Sequence, residues 1–479
     1  MATTSTVWLP PSLIHSRFDA NYNSPLAVAT RARLRNSGDI RFLEDVIVEM
    51  RCGPFGSTIM ASEHSTDGDV ILIQPTDISG GGFTLTPGWK ITNSQLTEKG
   101  LSLCPPNSLL FARKGIYAHC AVLPERAGKA TLGSSMIGAV IDQSKSDAYF
   151  LEAYFRCSFG NIILSSLQMI TASPTIGTGE LADAILPYPK QSIQRSIGHK
   201  VRAADQLRST AETAKKQILK SFPAFVLQTR PLSGQWLTDH VVDTERLEAQ
   251  YYQPHFLEMM KVIESLPGKV VPLQQLVGSM RHGASVTGAN TIGGRVRFIR
   301  GTEIGPNRIS TDDVVYLNDA SIAELASSHY VKAGDLLVTR SGTVGTCAVA
   351  RPREVGVAFG SFVIAVQIEG EEDIAPEYVA AFLNSSLGQS QFRREENGAV
   401  QMNINNGELG RIRIPLFTAD FREQIVKHVK TINSNLDRSE MLEKSAIADV
   451  ENWIDRRLDE TNCLAEGRKL AEEFGLEVP

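Results

Sequence analysis

The alternation of hydrophobic and polar positions singles out two segments with the same layout. They are "NSLLFARKGIYAHCAVL" at 107–123 and "GDLLVTRSGTVGTCAVA" at 334–350. Each predicts a strand, a tight glycine turn and a second strand, with one face of the hairpin buried. "RVRFIR" (295–300) predicts a further half-buried strand, while "ISGGGF" (78–83) and "NTIGGR" (290–295) predict turns. Elsewhere the period is helical. In "APEYVAAFLNSSLGQSQFRR" (375–394) it runs through Val379, Phe382, Leu383 and Leu387, and its counterpart is 148–167. Two stretches are longer. From Gln191 to Phe222 there is no proline and only Gly198, Ile197, Val201, Ala204, Ala211, Ala214 and Ile218 fall at steps of three, four or seven, and Pro223 closes the run. From about Ala419 to Leu458 there is neither proline nor glycine. Ile425, Val429, Ile432 and Leu436 keep coiled-coil spacing, Ser439 and Glu443 interrupt it, and Ile447, Val450, Ile454 and Leu458 resume it.

The two hairpins belong to a longer repetition. Leu109, Leu110, Arg113, Gly115, Cys120, Ala121 and Val122 match Leu336, Leu337, Arg340, Gly342, Cys347, Ala348 and Val349 at a shift of 227. Trp8 and Trp236 each open a "WL" pair. "RFDANY" (17–22) matches "RLEAQY" (246–251), "MRCG" (50–53) matches "MRHG" (280–283), and "VILIQPTDI" (70–78) matches "VRFIRGTEI" (296–304). "GSS" (133–135) and "GSF" (360–362) follow, then "AYFRCSFG" with "AFLNSSLG" and "ELADAILPYP" with "ELGRIRIPLF". So many ordered matches at one shift identify a tandem duplication whose unit is a whole domain. The expected organisation is a first domain over 1–190, a helix over 191–222, a second domain over 223–418, a helix over 419–460, and a C-terminal tail over 461–479. The fold class is α+β, with the two helices pairing as an antiparallel coiled coil.

Bulk properties remove several functions. The 479 residues carry a net charge of −5, so attraction to nucleic acid must come from local patches. Six cysteines form no C-x-x-C pair, which speaks against a zinc knuckle. The start, "MATTSTVWLPPSLIHSR", has no apolar core behind a basic segment, and no apolar run approaches the roughly 20 residues of a membrane span. A cytoplasmic protein is expected. There is no G-x-x-x-x-G-K-[ST], no G-x-S-x-G, no H-E-x-x-H and no methyltransferase Asn/Asp-Pro-Pro-aromatic motif. Cys120 and Cys347 read as small buried hydrophobes, and His119 and His282 as residues beside turns. Asp312 with Asp313, and Glu371, Glu372 and Asp373, read as solvated loops.

What remains is recognition without catalysis. The second copy places many arginines in expected turns and strands, and arginine suits both phosphate pairing and bidentate contact with guanine. Asparagines in "QMNINN" (401–406) can pair with adenine. The candidate DNA contacts are Arg51, Lys90, Arg113 and Lys114 in the first copy. In the second they are Arg281, Arg297, Arg300, Arg340, Ser341, Thr343, Asn403 and Asn405. Arg113 and Arg340 are common to both copies, whereas the tips "KGIYAH" and "SGTVGT" differ. The residues alone leave open a protein-interaction scaffold, or a DNA-recognition subunit of another phage-defence complex.

The order of "GDLLVTRSGTVGTCAV", "PEYVAAFLNSSLGQSQFRR", "GAVQMNINNGELGRIRIPLF" and "FREQIVKHVKTINSNLDRSE" resembles the specificity subunit of type I restriction–modification systems. The first copy follows the plan more loosely: its "ASPTIGTGELADAILPYPKQSIQRS" lacks the Gln-x-Asn core and the Glu-Gln pair. The resemblance implies that each copy is a target-recognition domain reading half of a bipartite sequence in double-stranded DNA, with the helices setting the gap. It implies a non-catalytic chain that binds no cofactor and recruits two methyltransferase subunits and endonuclease/translocase subunits. S-adenosylmethionine, ATP and magnesium would sit on those partners.

Overall fold

The computed structural model describes residues 19–225, 246 and 248–478, apart from 55, 57, 66, 79–80, 85–88, 116–118, 170–173, 287–293, 311–313, 371–373 and 399–400. Trp8, Trp236, the carboxylate pairs near 312 and 372, and the centre of the first hairpin tip lie outside the described residues. The chain divides into two compact units. One holds the described residues up to Ser209 together with those from Leu436 onward, and the other runs from Thr210 to Asn435.

In the first unit a four-stranded antiparallel sheet is ordered Ile47–Cys52, Met136–Ile141, Ser108–Ala112, Cys120–Val122. The expected hairpin is there, with Leu109 opposite Val122, Leu110 opposite Ala121 and Phe111 opposite Cys120. Ser108–Ala112 is buried throughout because it has a strand on each side and the helix Ala148–Arg156 above it. Phe111 meets Phe155 of that helix edge to face at 5.2 Å. A second sheet joins Val70–Ile73 antiparallel to Lys90–Ile91 and parallel to Ala130–Leu132.

The second unit repeats this topology. Its four-stranded sheet is ordered Val277–His282, Val363–Ile368, Leu336–Thr339, Cys347–Val349. Its three-stranded sheet pairs Val296–Ile299 antiparallel with Val315–Leu317 and parallel with Ala358–Phe359. Even the bulge is reproduced: the edge strand slips register between Ile47 and Glu49 in one unit and between Val277 and Ser279 in the other. Both hairpin cysteines are buried, and desolvation pushes both thiols up, which disfavours the reactive thiolate.

One interaction is kept while its donor changes place. Tyr22 carries the guanidinium of Arg31 over its ring at 3.9 Å, and its counterpart Tyr251 carries that of Arg394 at 3.7 Å. Arg31 comes from the helix Pro25–Ser37 and Arg394 from the helix Ser386–Glu395. At the repeat shift Arg31 corresponds to Met260 and Arg394 to Ser166. The cation–π contact therefore survives by delivery from the opposite helix.

The long helices run Gln191–Ser221 and Ala419–Ile454, and each unit contains part of both. Within the first unit they are antiparallel: Lys200 meets Asp449, Ser439 Oγ donates to the Ala204 carbonyl at 2.9 Å, and Arg208 pairs with Glu443. Ser439 and Glu443, the two breaks in the heptad spacing, thus serve a polar layer, in which Glu443 also takes Arg156 at 2.9 Å. In the second unit the contact is aromatic, with Phe222 packed on Phe382 and Phe421 at 5.7 Å each.

The second helix stops at Ile454, short of the expected 460. Arg456 adopts a left-handed conformation (φ 58°) and the Arg457 N–H bonds back to the Asn452 carbonyl at 2.7 Å. Residues read as a tail then form a third helix, Glu460–Phe474, whose Cys463, Leu470 and Ala471 are buried. Gly467 permits its close approach, since a Cβ there would lie 2.6 Å from the Ser196 Cβ.

Candidate nucleic-acid interface

Each hairpin turns on a glycine with positive φ, Gly115 at 122° and Gly342 at 81°, a region that side chains disfavour. Each tip is then laced to a second loop by the same bonds. In the first unit the Ile176 N–H bonds the Arg113 carbonyl at 3.0 Å, Arg113 N–H bonds the Ser135 carbonyl at 2.7 Å, and Gly115 N–H bonds the Pro174 carbonyl at 3.1 Å. In the second the matching bonds are Ile404 to Arg340 at 2.9 Å, Arg340 to Phe362 at 2.9 Å, and Gly342 to Met402 at 3.3 Å. The laced loops are themselves closed by paired residues, Met169 with Thr175 and Asn397 with Asn403. Ile176 and Ile404 are fully buried and anchor the arrangement.

The arginine at the foot of each tip, Arg113 or Arg340, is half-buried, and its Nε is buried without a hydrogen-bond partner among the described residues. Arg340 Nη1 lies 3.1 Å from His282 Nδ1. Arginine can only donate, so this nitrogen accepts and the imidazole is neutral. Burial, followed by the Arg340 charge, holds His282 below the usual histidine range. Lys114 is exposed beside Arg113, its backbone bridged to Thr175.

In the second unit the tip borders a cleft of about 690 Å³. It gathers three residues expected from sequence, Arg300, Ser341 and Thr343, with Gln401 and Phe362, which were not on that set. Phe362 is 53% exposed, and its counterpart in the first copy is Ser135. The Arg300 guanidinium is steadied by Glu303, with Nη2 to Oε1 at 2.7 Å. Hydroxyls, an amide, a guanidinium and an exposed ring on one wall offer the donors, acceptors and apolar surface that base edges require.

The other expected contacts lie elsewhere. Arg281 is paired with Asp335 and donates to the Ser328 and Tyr330 carbonyls, so it holds the sheet edge. Asn405 caps the helix Asn406–Arg411, accepting from Glu408 N–H at 3.0 Å, and so serves the backbone. Asn403 Nδ2 donates to the Gln401 carbonyl within the laced loop. Arg297 reaches the Arg353 carbonyl at 3.4 Å, Arg51 pairs with Glu49, and Lys90 sits half-buried on a sheet edge. What was missed is that the laced loop bonds to the hairpin tip. Its one signal in sequence was Ile176 and Ile404 at the repeat shift.

Among the described residues no group of histidine, cysteine or acidic side chains is placed to hold a metal ion. No helix there is long and apolar enough to cross a membrane.

No family model matches the chain. It is 22% identical to the type I restriction enzyme EcoBI specificity subunit of Escherichia coli over 298 residues. The chain is similar to type I specificity subunits. The alignment spans 60% of this specificity-subunit-like chain and 60% of its relative's length. Among solved structures, the type I restriction–modification S subunit from M. genitalium covers 88% of the chain with 96% of its own length, at 12% identity and a TM-score of 0.43. The HsdS subunit from Thermoanaerobacter tengcongensis covers 88% with 97% of its own, at 14% identity and a TM-score of 0.28.

Proposed function

We propose that the chain is the DNA-specificity subunit of a type I restriction–modification complex. Each repeat reads one half of a bipartite target and the long helices set the gap. The chain catalyses nothing itself. It brings two methyltransferase subunits, and through them endonuclease/translocase subunits, to double-stranded DNA, and the S-adenosylmethionine, ATP and magnesium of the reactions belong to those partners. The observation that carries this reading is the laced tip, built twice on one backbone plan with different side chains. A duplicated scaffold with diverged tips is what two related but unequal half-sites require.

Arg113 and Arg340, invariant between the copies, are assigned to phosphates, and the tip and cleft residues to bases. Removing a phosphate contact weakens binding to all sequences alike and reduces the salt slope by about 1, whereas a base contact is worth roughly 1–3 kcal/mol for one sequence. In duplex titrations over a salt series, with the partner methyltransferase present, Arg113→Ala and Arg340→Ala are each expected to flatten the slope without changing sequence preference. An unchanged slope would remove the phosphate assignment, and no salt-dependent affinity in the parent complex would remove the DNA reading.

The helices give a second expectation. Four residues inserted at matched points near 205 and 435 add about 6 Å, or about two base pairs at ~3.4 Å each. The recognised gap should lengthen while both half-sites stay the same. An unaltered gap would end the idea of a helical ruler.

A further inference from the structure

A groove of about 460 Å³ in the second unit shares no lining residue with the tip cleft and lies between Tyr251–Tyr252, the helix Pro254–Glu264 and the ends of the helices Ser386–Glu395 and Asn406–Arg411. Four cations line it, Lys261, Arg394, Arg411 and Arg413, against two carboxylates, Glu264 and Glu395. Glu395 is already shared: it lies 3.1 Å from Arg411, 3.5 Å from Arg246 and 3.6 Å from Arg394. Arg394 is only 13% exposed at its side chain, and desolvation is the main cause holding its pKa below the ordinary value. Lys261 and Arg413 are exposed and have no ion-pair partner among the described residues.

The duplication supplies a control. The first copy has the same helix, the same tyrosine and the same strand pair, yet Lys261, Arg394, Arg411 and Arg413 correspond to Ala32, Ser166, Asp183 and Ile185. Two cations of the first copy are lost in exchange, Arg31 at Met260 and Arg35 at Glu264. Arg394 and Arg411 also serve the fold, on Tyr251 and Glu395, whereas Lys261 and Arg413 extend the positive surface without an ion pair among the described residues.

We propose that this groove binds a phosphate ester through Lys261, Arg394, Arg411 and Arg413, beside the tyrosine pair. Guanidinium groups match phosphate oxygens bidentately, and a guanidinium already fixed on a tyrosine ring loses little freedom on binding. The phosphate can come from a nucleic-acid backbone or from a free nucleotide. This proposal is independent of base reading at the tip, so a chain that reads no half-site there can still hold phosphate here.

The test uses the purified full chain, with inorganic pyrophosphate, ATP, a duplex of unrelated sequence and an oligo-glutamate peptide as probes in calorimetric titration. Lys261→Ala with Arg413→Ala changes only exposed side chains, and its unliganded melting temperature should match the parent. The double variant is expected to lose pyrophosphate affinity at least tenfold. A parallel loss for the duplex assigns the phosphate to nucleic acid, and an unchanged duplex affinity with weakened ATP assigns it to a nucleotide. Equal pyrophosphate binding by variant and parent, or none by either, overturns the proposal. So does oligo-glutamate binding as tightly as pyrophosphate and failing in the same variant, which would make the groove a seat for acidic protein.

Discussion

Lys200→Ala is expected to destabilise the first unit by about 3–5 kcal/mol, the usual cost of removing one partner from a buried ion pair. The Lys200 side chain is 3% exposed. Its ammonium donates to Asp449 at 2.7 Å and to Ser445 Oγ at 2.9 Å, and pairs with Glu466 at 2.5 Å. It joins the helices Gln191–Ser221, Ala419–Ile454 and Glu460–Phe474 at one point. Burial alone would lower its pKa, but the hydrogen bonds it donates to Asp449 and Glu466 outweigh that and raise it. Burial pushes the Asp449 carboxyl up, against the pull of Lys200. Without the lysine, two carboxylates face each other in a partly dry site. Domains are stable by about 5–15 kcal/mol, so the loss should be plain in urea denaturation. Pairing Lys200→Met with Asp449→Leu should recover much of it, because apolar groups of similar volume often replace buried pairs without loss. The sign of the pH effect follows from the raised lysine value. Its contribution is full at neutral pH, below the unfolded pKa of about 10.4, and disappears as pH climbs through the higher folded value. A loss below about 1 kcal/mol in Lys200→Ala would show that the triad does not hold the helices.

Exchanging residues 1–190 for the equivalent segment of a type I specificity subunit is expected to rewrite one half of the methylated motif and leave the other half intact. The junction decides whether such a chimera folds. Arg126 reaches Asp205 at 2.5 Å, Asp147 receives Arg202 at 2.6 Å, and Arg156 reaches Glu443 at 2.9 Å. These pairs tie the first repeat to the helical residues of its own unit. A chimera that keeps Arg126, Asp147 and Arg156 should remain folded, and one that replaces them strands Asp205, Arg202 and Glu443 in partly buried positions. The outcome is read by sequencing methylated adenines. Alteration of both halves would contradict modular reading.

Much of this architecture was legible in the sequence because duplication doubles the signal. Leu109 and Leu336 carry the same burial pattern, and both hairpins pair as the alternation predicts. The helical pairing was legible from the spacing of Ile447, Val450 and Ile454, which share one apolar cluster with Ile193, Ile197 and Val201. Ser439 and Glu443 looked like faults in that spacing because their partners, Ala204 and Arg208, lie more than 200 positions away. The end of the second helix depends on one left-handed residue, Arg456, which composition does not announce. The candidate site was less legible for a related reason. An arginine fixed to a carboxylate and one without such a bond look alike in sequence: Arg281 meets Asp335, 54 residues on, whereas Arg113 has no such partner among the described residues. Asn405 looked like an adenine reader, yet the Glu408 three residues later was a capping signal already present.

The central claim is that two diverged copies of one scaffold read two halves of one DNA target. Methylated-adenine sequencing of cells that carry this gene with its neighbouring genes tests it most directly. The predicted result is a motif of two defined halves separated by an unread gap of constant length, lost when this gene alone is deleted. A continuous motif without a gap, or methylation that persists after the deletion, would contradict it.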